Sequence, residues 1–407
     1  MKNKVKNLWY LCPWDAVENE AGFDRSLSIL KNLNDLSLEV TWWNTSFSHA
    51  EKKFRETNKN DDSYDLILLP AIRYTSNTSF KRLISSVLLF AFFFQIKSIF
   101  KKKPDLIFLS GPILFVSVYT LFLKLFFRTK VIVELRDLWP EGSVNQSTGL
   151  RKVLYIIISI IPHLSRALTF MISDYIIFLN ENFKNYATKR YPFIKNTPSI
   201  IAYPSPIIDF SSIKNYYSNE FKKGDNHVWA IFSGTLGGSQ NQELFIKSIP
   251  HIKKENREKL KIFISGDGSN KFRLEEIVKK LQLTNIVFTG YLNKKDYLHI
   301  LKNADFGVSF YQSHSPVSFP TKIMDYLNSG LPIIMSNSED AAKVVSQNNC
   351  GSVIDKDDIY KIANAVDLMF VKKKYNFYKL NVEKIKSNFS STDQVSKISK
   401  FIKDCTD

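Results

Sequence analysis

Lys322 and Asp325 stand three residues apart in the run Pro320-Thr321-Lys322-Ile323-Met324-Asp325-Tyr326-Leu327-Asn328-Ser329-Gly330-Leu331-Pro332. On a helix that spacing puts both on one face, about one turn apart. A helix N-terminus offers unbonded amides and the positive end of a dipole, so it favours an anion such as phosphate. Lys322 adds a full charge there, and Asp325 can accept hydrogen bonds from ribose hydroxyls. Together they suit a nucleoside diphosphate. An ordinary capped helix with a surface Lys–Asp pair fits the same residues. Pro320 suits the first helical position, Ser318 and Thr321 can cap nearby amides, and Gly330 is placed to end the helix. Leu331–Met335 then reads as a buried strand.

A second group follows the apolar strand Val131-Ile132-Val133: Glu134, Arg136 and Asp137. Charged residues directly after such a strand mark the active edge of an α/β sheet. An Arg136–Asp137 loop pair with Trp139 packed beneath it is the plain structural alternative. Ser233-Gly234-Thr235-Leu236-Gly237-Gly238-Ser239 is a small-residue turn after strand Val228–Phe232 and before a helix over Asn241–Ile249. Such a turn lets a diphosphate approach the backbone, although no Gly-Lys-Ser/Thr of a Walker loop follows. Gly266-Asp267-Gly268 and Gly290-Tyr291 close two further strands, Lys261–Ser265 and Ile286–Thr289. After the first strand, Asn7–Leu11, a loop carries Gly22 and leads to Arg25; it is either a plain connection or part of the ligand crevice. Asp355 to Asp358 caps a helix rather than holding a metal.

These residues are positioned by strand–helix alternation along 407 residues, a length that supports two domains. Domain boundaries are expected at 1–205, 206–385 and 386–407, the last a helix that returns to the first domain. Pro204-Ser205-Pro206 marks the linker. Val153–Leu164 reads as an apolar helix interrupted by Pro162, Ile113–Phe127 as a largely apolar helix, and Val382–Asp404 as one terminal helix. Leu83–Ile96 is uncharged and Phe-rich, bracketed by Lys81, Arg82, Lys97 and Lys101-Lys102-Lys103. It is short of the about 20 residues a spanning helix needs, and suits either a membrane interface or a buried position.

The hydrophobic content of 44% supports packed cores, and the net charge of +17 asks for an anionic partner. Three cysteines, Cys12, Cys350 and Cys405, form no disulfide framework or metal-ligand spacing, which fits a reducing compartment. No signal-peptide core follows Met1, and no nucleic-acid motif is present.

The Pro320-Thr321-Lys322, Asp325-Tyr326-Leu327 and Gly330-Leu331-Pro332 pattern resembles the donor-site helix of family-4 retaining glycosyltransferases of the GT-B fold. Arg136-Asp137-Leu138-Trp139-Pro140-Glu141 resembles the same family, in the branch that builds bacterial surface polysaccharides. The resemblance covers most of the chain and departs at known points. Many members carry E-x7-E, where this chain has Val317 and Asp325. Thr235 and Gln240 stand where a basic pair is frequent, which leaves Lys322 more of the phosphate charge.

The resemblance implies two Rossmann-like α/β domains facing a cleft and a nucleotide-sugar donor, UDP-linked at the family level. The acceptor would be lipid-linked or a saccharide. Gly234, Thr235, Gly266, Gly268, Gly290, Tyr291, Ser318, Pro320, Thr321, Lys322 and Asp325 would bind donor, and Gly22 and Arg25 would face the acceptor. Lys322, Asp137, Glu134 and Arg136 are the catalytic candidates. Asp137 or Glu134 would be the general base, unless the departing phosphate takes the proton. No metal or other cofactor is expected. The enzyme would be cytoplasmic and peripheral on the anionic inner face of the cell membrane. Two other functions are weighed: a GT-B nucleotide-sugar epimerase, for which no cluster of carboxylates or His is evident, and a non-catalytic basic membrane-surface protein, which leaves the donor pattern unexplained.

Overall fold

A computed structural model describes residues 7–18, 20, 25–33, 38–48, 51–55, 63–74, 102–111, 116–138, 141, 148–214, 216, 218, 220–237, 239–312 and 319–406. The expectations for Gly22, Ser318 and the Leu83–Ile96 helix lie outside these residues. The chain divides into two compact units: Met1–Pro204 with Gln394–Asp407, and Ser205–Asp393.

Unit 1 is built on strands β1 (Asn7–Leu11), β2 (Glu39–Thr45), β3 (Asp65–Leu69), β4 (Leu106–Ser110), β5 (Lys130–Leu135), β6 (Tyr175–Phe178) and β7 (Ser199–Ile201). Among the described residues they form one parallel sheet in the order β3-β2-β1-β4-β5-β6-β7. Nearly continuous apolar runs such as NLWYL and LIFLS suit strands covered on both faces. Successive side chains point to opposite faces. Trp9, Leu11, Ile107, Leu109, Val131 and Val133 therefore fill one core, with Val116, Leu123 and Phe170 from helices Val116–Phe127 and Gly149–Ile172. Leu8, Tyr10, Leu106, Phe108 and Ile132 fill the other, with Ile29 and Leu33 from helix Arg25–Leu33. The same core takes Val395, Ile398 and Ile402 from the last helix, Ser391–Thr406.

Unit 2 carries β8 (Val228–Ser233), β9 (Leu260–Ser265), β10 (Ile286–Gly290), β11 (Phe306–Ser309), β12 (Ile333–Ser336) and β13 (Gly351–Ile354). They form a parallel sheet in the order β10-β9-β8-β11-β12-β13. Its core joins Phe232, Ile262, Ile264, Val308 and Ile334 to Phe245, Ile246, Ile362 and Val366 of the covering helices.

Three expectations about helices are corrected. Helix Gly149–Ile172 runs through Pro162 without a break. A proline costs a helix one hydrogen bond and some strain, and here the buried ring lies against unit 1, which offsets that cost. The terminal helix is two helices, Lys372–Ile385 and Ser391–Thr406, separated by a 3-10 turn. Ser390 ends the turn in an extended conformation, and its hydroxyl accepts from the amide of Asp393 at 3.1 Å, a fresh N-cap. Helix Thr321–Asn328 begins one residue after Pro320, whose ψ of 134° is extended, so Pro320 is the N-cap. No side-chain hydroxyl caps it, Thr321 included.

Candidate functional site

Ser233, Ser265, Ser309 and Ser336 end β8, β9, β11 and β12, so the C-terminal edge of the unit 2 sheet changes from apolar to small and polar. The order reverses at β8, which pairs with β9 on one side and β11 on the other. Ligands of open α/β sheets bind at that switch point. Lys322 and Asp325 meet the loops there.

Helix Thr321–Asn328 buries Ile323, Met324, Tyr326 and Leu327, which fixes its rotation. It ends in a Schellman turn: Leu331 N–H donates to Tyr326 O at 2.9 Å and Gly330 N–H to Leu327 O at 3.0 Å, with Gly330 at φ +71°. Lys322 is carried inward and is only 6% exposed. Its Nζ donates to Gln240 Oε1 at 2.6 Å and lies 5.0 Å from the Phe232 ring centre and 5.4 Å from that of Tyr311. Gln240 is itself held by Gln242, whose Nε2 donates to Gln240 Oε1 at 3.1 Å and to Thr235 O at 2.9 Å. Asn241 N–H donates to Phe310 O and Gln312 N–H to Ser239 O, both at 2.9 Å, stitching this loop to the segment after β11.

Asp325, partly buried one turn along, accepts from the Tyr297 hydroxyl at 2.7 Å. Tyr297 lies 3.1 Å from Ser233 Oγ, and Tyr326 OH lies 3.2 Å from the same atom. Burial drives the Lys322 pKa down to about 7 against the opposing pull of Asp325. Burial also drives the Asp325 carboxyl up to about 7, opposed by the Tyr297 hydrogen bond and by Lys322. Each charge is thus marginal near neutrality. A diphosphate next to Lys322 would restore the ammonium, because an adjacent anion favours the charged form.

The glycines of the two loops have a packing cause. A Cβ on Gly266, at φ +134°, would sit 2.0 Å from Gly234 O, and one on Gly268 would sit 2.3 Å from Leu236 O. The loops are joined by Gly234 N–H to Ser265 O at 2.8 Å and Leu236 N–H to Asp267 O at 2.9 Å. At Gly234, φ +126°, a Cβ would lie 2.9 Å from Lys322 Nζ, so this glycine lets the lysine tip lie against the loop. Gly290 accepts from Gly266 N–H at 2.9 Å, and Tyr291 is exposed. Lys322, Asp325, Gly234 and Thr235 are thereby drawn together. Gln240, Ser233 and Tyr326, which the sequence offered only as parts of its motifs, join them, as do Gln242 and Tyr297, which it did not single out. The Gln-Asn-Gln triplet after the small-residue turn was the available signal for two of them.

Unit 1 holds a separate buried charge network. Glu134 is 1% exposed. Its Oε1 accepts from Arg25 Nε at 2.9 Å and from another Arg25 nitrogen at 2.8 Å, and its Oε2 accepts from Ser110 Oγ at 2.5 Å. Burial raises its pKa, but Arg25 and Arg136 outweigh that and hold the carboxyl below the ordinary value. Arg25 also donates to Tyr203 O at 2.7 Å and Ala202 O at 3.0 Å, which makes it a strap across β7 and β5. Arg136 pairs with Asp15 at 2.8 Å and donates to Cys12 Sγ at 3.1 Å. Burial pushes the Cys12 thiol up to about 12, so it stays protonated. Asp137 is exposed at the same sheet edge. Glu141 instead reaches Arg166 at 2.7 Å and accepts from the Tyr186 hydroxyl, tying two helices together. Among the described residues no group of three or more His, Cys, Asp or Glu could hold a metal ion.

Residues 214–379 match the model of the glycosyl transferases group 1 family. A chitobiosyldiphosphodolichol beta-mannosyltransferase of Candida albicans is 24% identical over 168 residues, which are 39% of this chain and 37% of that protein. An uncharacterized glycosyltransferase of Methanocaldococcus jannaschii is 25% identical over 252 residues, 60% of this chain and 58% of that protein. The matches thus span 37% and 58% of the length of these relatives, less than two thirds of either. Among solved structures, WaaG, a glycosyltransferase involved in lipopolysaccharide biosynthesis, superposes with a TM-score of 0.67 at 13% identity, covering 97% of this chain and 99% of its own. Anabaena HepE, in complex with UDP and glucose, superposes with a TM-score of 0.64 at 12% identity, covering 98% and 99%. The chain has the GT-B fold of two parallel-sheet Rossmann-like domains, and the residues that match the glycosyl transferases group 1 model, 214–379, include the Lys322–Asp325 site.

Proposed function

We propose that this protein is a retaining glycosyltransferase that moves a sugar from a nucleotide-sugar, a UDP-sugar in the first instance, to a lipid-linked or saccharide acceptor in bacterial cell-surface polysaccharide synthesis. The observation that carries the reading is the buried Lys322, set at the switch point of the unit 2 sheet with Asp325 one turn away. Lys322 and the amides at the start of its helix would meet the diphosphate. Asp325, oriented by Tyr297, would accept from the ribose hydroxyls. As the bond from the sugar to the diphosphate breaks, negative charge grows on the phosphate oxygen. A prepositioned ammonium there is worth most in the transition state. The acceptor hydroxyl would attack from the same face. Its proton would pass to the departing phosphate or to Asp137, which is exposed, whereas Glu134 is enclosed with its oxygens occupied. No metal is assigned to the donor.

The enzyme would work at the cytoplasmic face of the cell membrane. The relatives that act on a dolichol-linked substrate, and WaaG, support a lipid-anchored acceptor by analogy. The test is a panel of UDP-, GDP- and dTDP-sugars incubated with the protein and membrane lipid extracts. Transfer of label into lipid from one donor, with the anomeric configuration kept, is the expected result. Absence of transfer together with absence of thermal stabilisation by any of the nucleotides would refute the reading.

A further inference from the structure

Helix Gly149–Ile172 leaves its apolar first half in the open: residues 152–158 are all exposed, and only from Ser159 onward does one side turn into unit 1. The side it turns into unit 1 carries Ser159, Pro162, Arg166 and Phe170, all buried, with His163 partly buried beside them. The side it turns outward carries Leu150, Leu154, Ile157, Ile161 and Leu164 at helical spacing, between 54% and 89% exposed. Arg166 is satisfied inside by Glu141, so the inward polar groups belong to the fold. The neighbouring helix Val116–Phe127 packs against it and adds Phe122, Leu125 and Phe126, the last 71% exposed. Soluble monomers typically leave a largest apolar patch of about 300–600 Å², and such a patch marks an interaction surface.

The placement of the helix gives the surface a direction. A cavity of about 30 Å³ is lined by Pro162, Ser165 and Arg166 together with Gly111, Glu134 and Leu135. Pro162 to Arg166 are therefore level with the C-terminal ends of β4 and β5. The helix continues from Pro162 back to Gly149, away from the β6 strand it feeds, and this half rises about 20 Å past that edge at 1.5 Å per residue. It stands beside the edge that holds Glu134 and Arg136.

We infer that the outward face of Gly149–Ile172, with that of Val116–Phe127, docks unit 1 into the interfacial layer of an acidic lipid bilayer. Three features select lipid over a protein partner. The stretch Lys152–Ile172 is long and apolar enough, by length and composition, for hydrocarbon. The outward stripe of the long helix is Leu and Ile without a hydrogen-bonding side chain, whereas protein interfaces carry polar, hydrogen-bonding rims. Neither helix contains an Asp or Glu, while Lys152 and Arg128 stand exposed at their ends, and the chain carries +17 overall. Cations around an apolar face complement acidic headgroups. Because the C-terminal half of the long helix packs on the unit 1 core through Phe170, the helix lies against the bilayer rather than across it.

The inference deepens the proposed reading, since a lipid-borne acceptor would then be presented at the sheet edge beside the docked helix. The test does not depend on catalysis. The full chain is sedimented with neutral phosphatidylcholine vesicles and with vesicles enriched in phosphatidylglycerol. Binding to the acidic vesicles, weakened by salt and released by alkaline carbonate, is expected. Ile157→Glu with Ile161→Glu should weaken it roughly a hundredfold, about tenfold per buried side chain lost. Lys152→Glu should weaken it less and flatten the salt dependence. Phe272→Glu, still more exposed but in unit 2, should leave it unchanged. Unchanged melting, and unchanged stabilisation by UDP where the transferase reading holds, separate a lost surface from a lost fold or a wrong activity. Undiminished binding by the Ile157→Glu/Ile161→Glu protein would overturn the inference. So would resistance to carbonate, or a dimer in solution that ignores vesicles and dissociates on the same substitutions.

Discussion

Replacing Lys322 by Met should leave the protein more stable and unable to hold its donor. The side chain is 6% exposed, and burial takes its pKa from 10.5 to about 7. At about 1.4 kcal/mol per pH unit, that disfavours the charged form by roughly 4–5 kcal/mol. The folded pKa lies below the unfolded one, so the penalty is fully present below pH 7 and fades as pH rises towards 10.5. Met keeps the aliphatic stem and abolishes the penalty, but loses the Gln240 hydrogen bond and the contacts with the Phe232 and Tyr311 rings. Those losses cancel part of the gain, leaving about 1–3 kcal/mol of net stabilisation near neutral pH. In a thermal melt this is roughly 2–12 °C for a unit of this size. The gain should be larger at pH 6 than at pH 9. Stabilisation by UDP should vanish in the same protein, and transfer should fall by about 10²–10³ for loss of one charge-stabilising donor. A lower melting temperature at pH 6, or UDP stabilisation that survives the substitution, would refute the reasoning that burial of Lys322 serves an anion.

Tyr297→Phe removes the hydrogen bond that opposes the rise of the Asp325 pKa; donor affinity should fall about 5–20-fold, with 2′-deoxyribose donors less affected, measured by calorimetry. Donor binding should take up protons near pH 8, where Asp325, at about 7, is already largely ionised and Lys322, at about 7, is largely neutral until the diphosphate recharges it; calorimetry in buffers of different ionisation enthalpy reads this directly, and proton release there would contradict it. Glu134→Gln leaves Arg25 buried without its counter-charge and should cost roughly 3–5 kcal/mol of stability in denaturant titrations. Asp137→Asn should lower turnover with little change in melting or in UDP binding, and a purely structural loss would remove it from the catalytic candidates.

Strand positions were legible because parallel strands covered on both faces are short apolar runs closed by polar residues. β1 coincides with its expected range, and β8 and β10 each run one residue past theirs. Local chemistry also announced caps, as at Gly330 and Asp358, whose carboxylate accepts from the amides of Tyr360 and Lys361. The continuity of Gly149–Ile172 was not legible, since the cost of Pro162 is a local term and the packing that offsets it is not. What the sequence alone determined here is the alternation of elements, the pairing of Lys322 with Asp325 on one helical face, and the charge excess. Tertiary structure decided the rest, because burial and partner choice arise only when distant segments meet. It turned Lys322 and Asp325 into groups that titrate near pH 7. It brought Tyr297 and Gln240 to them from other loops, and made Arg25 and Glu134 a buried strap 109 residues apart in the chain. It also left the Leu/Ile side chains of Gly149–Ile172 exposed, because only the C-terminal half of that helix packs on the unit 1 core.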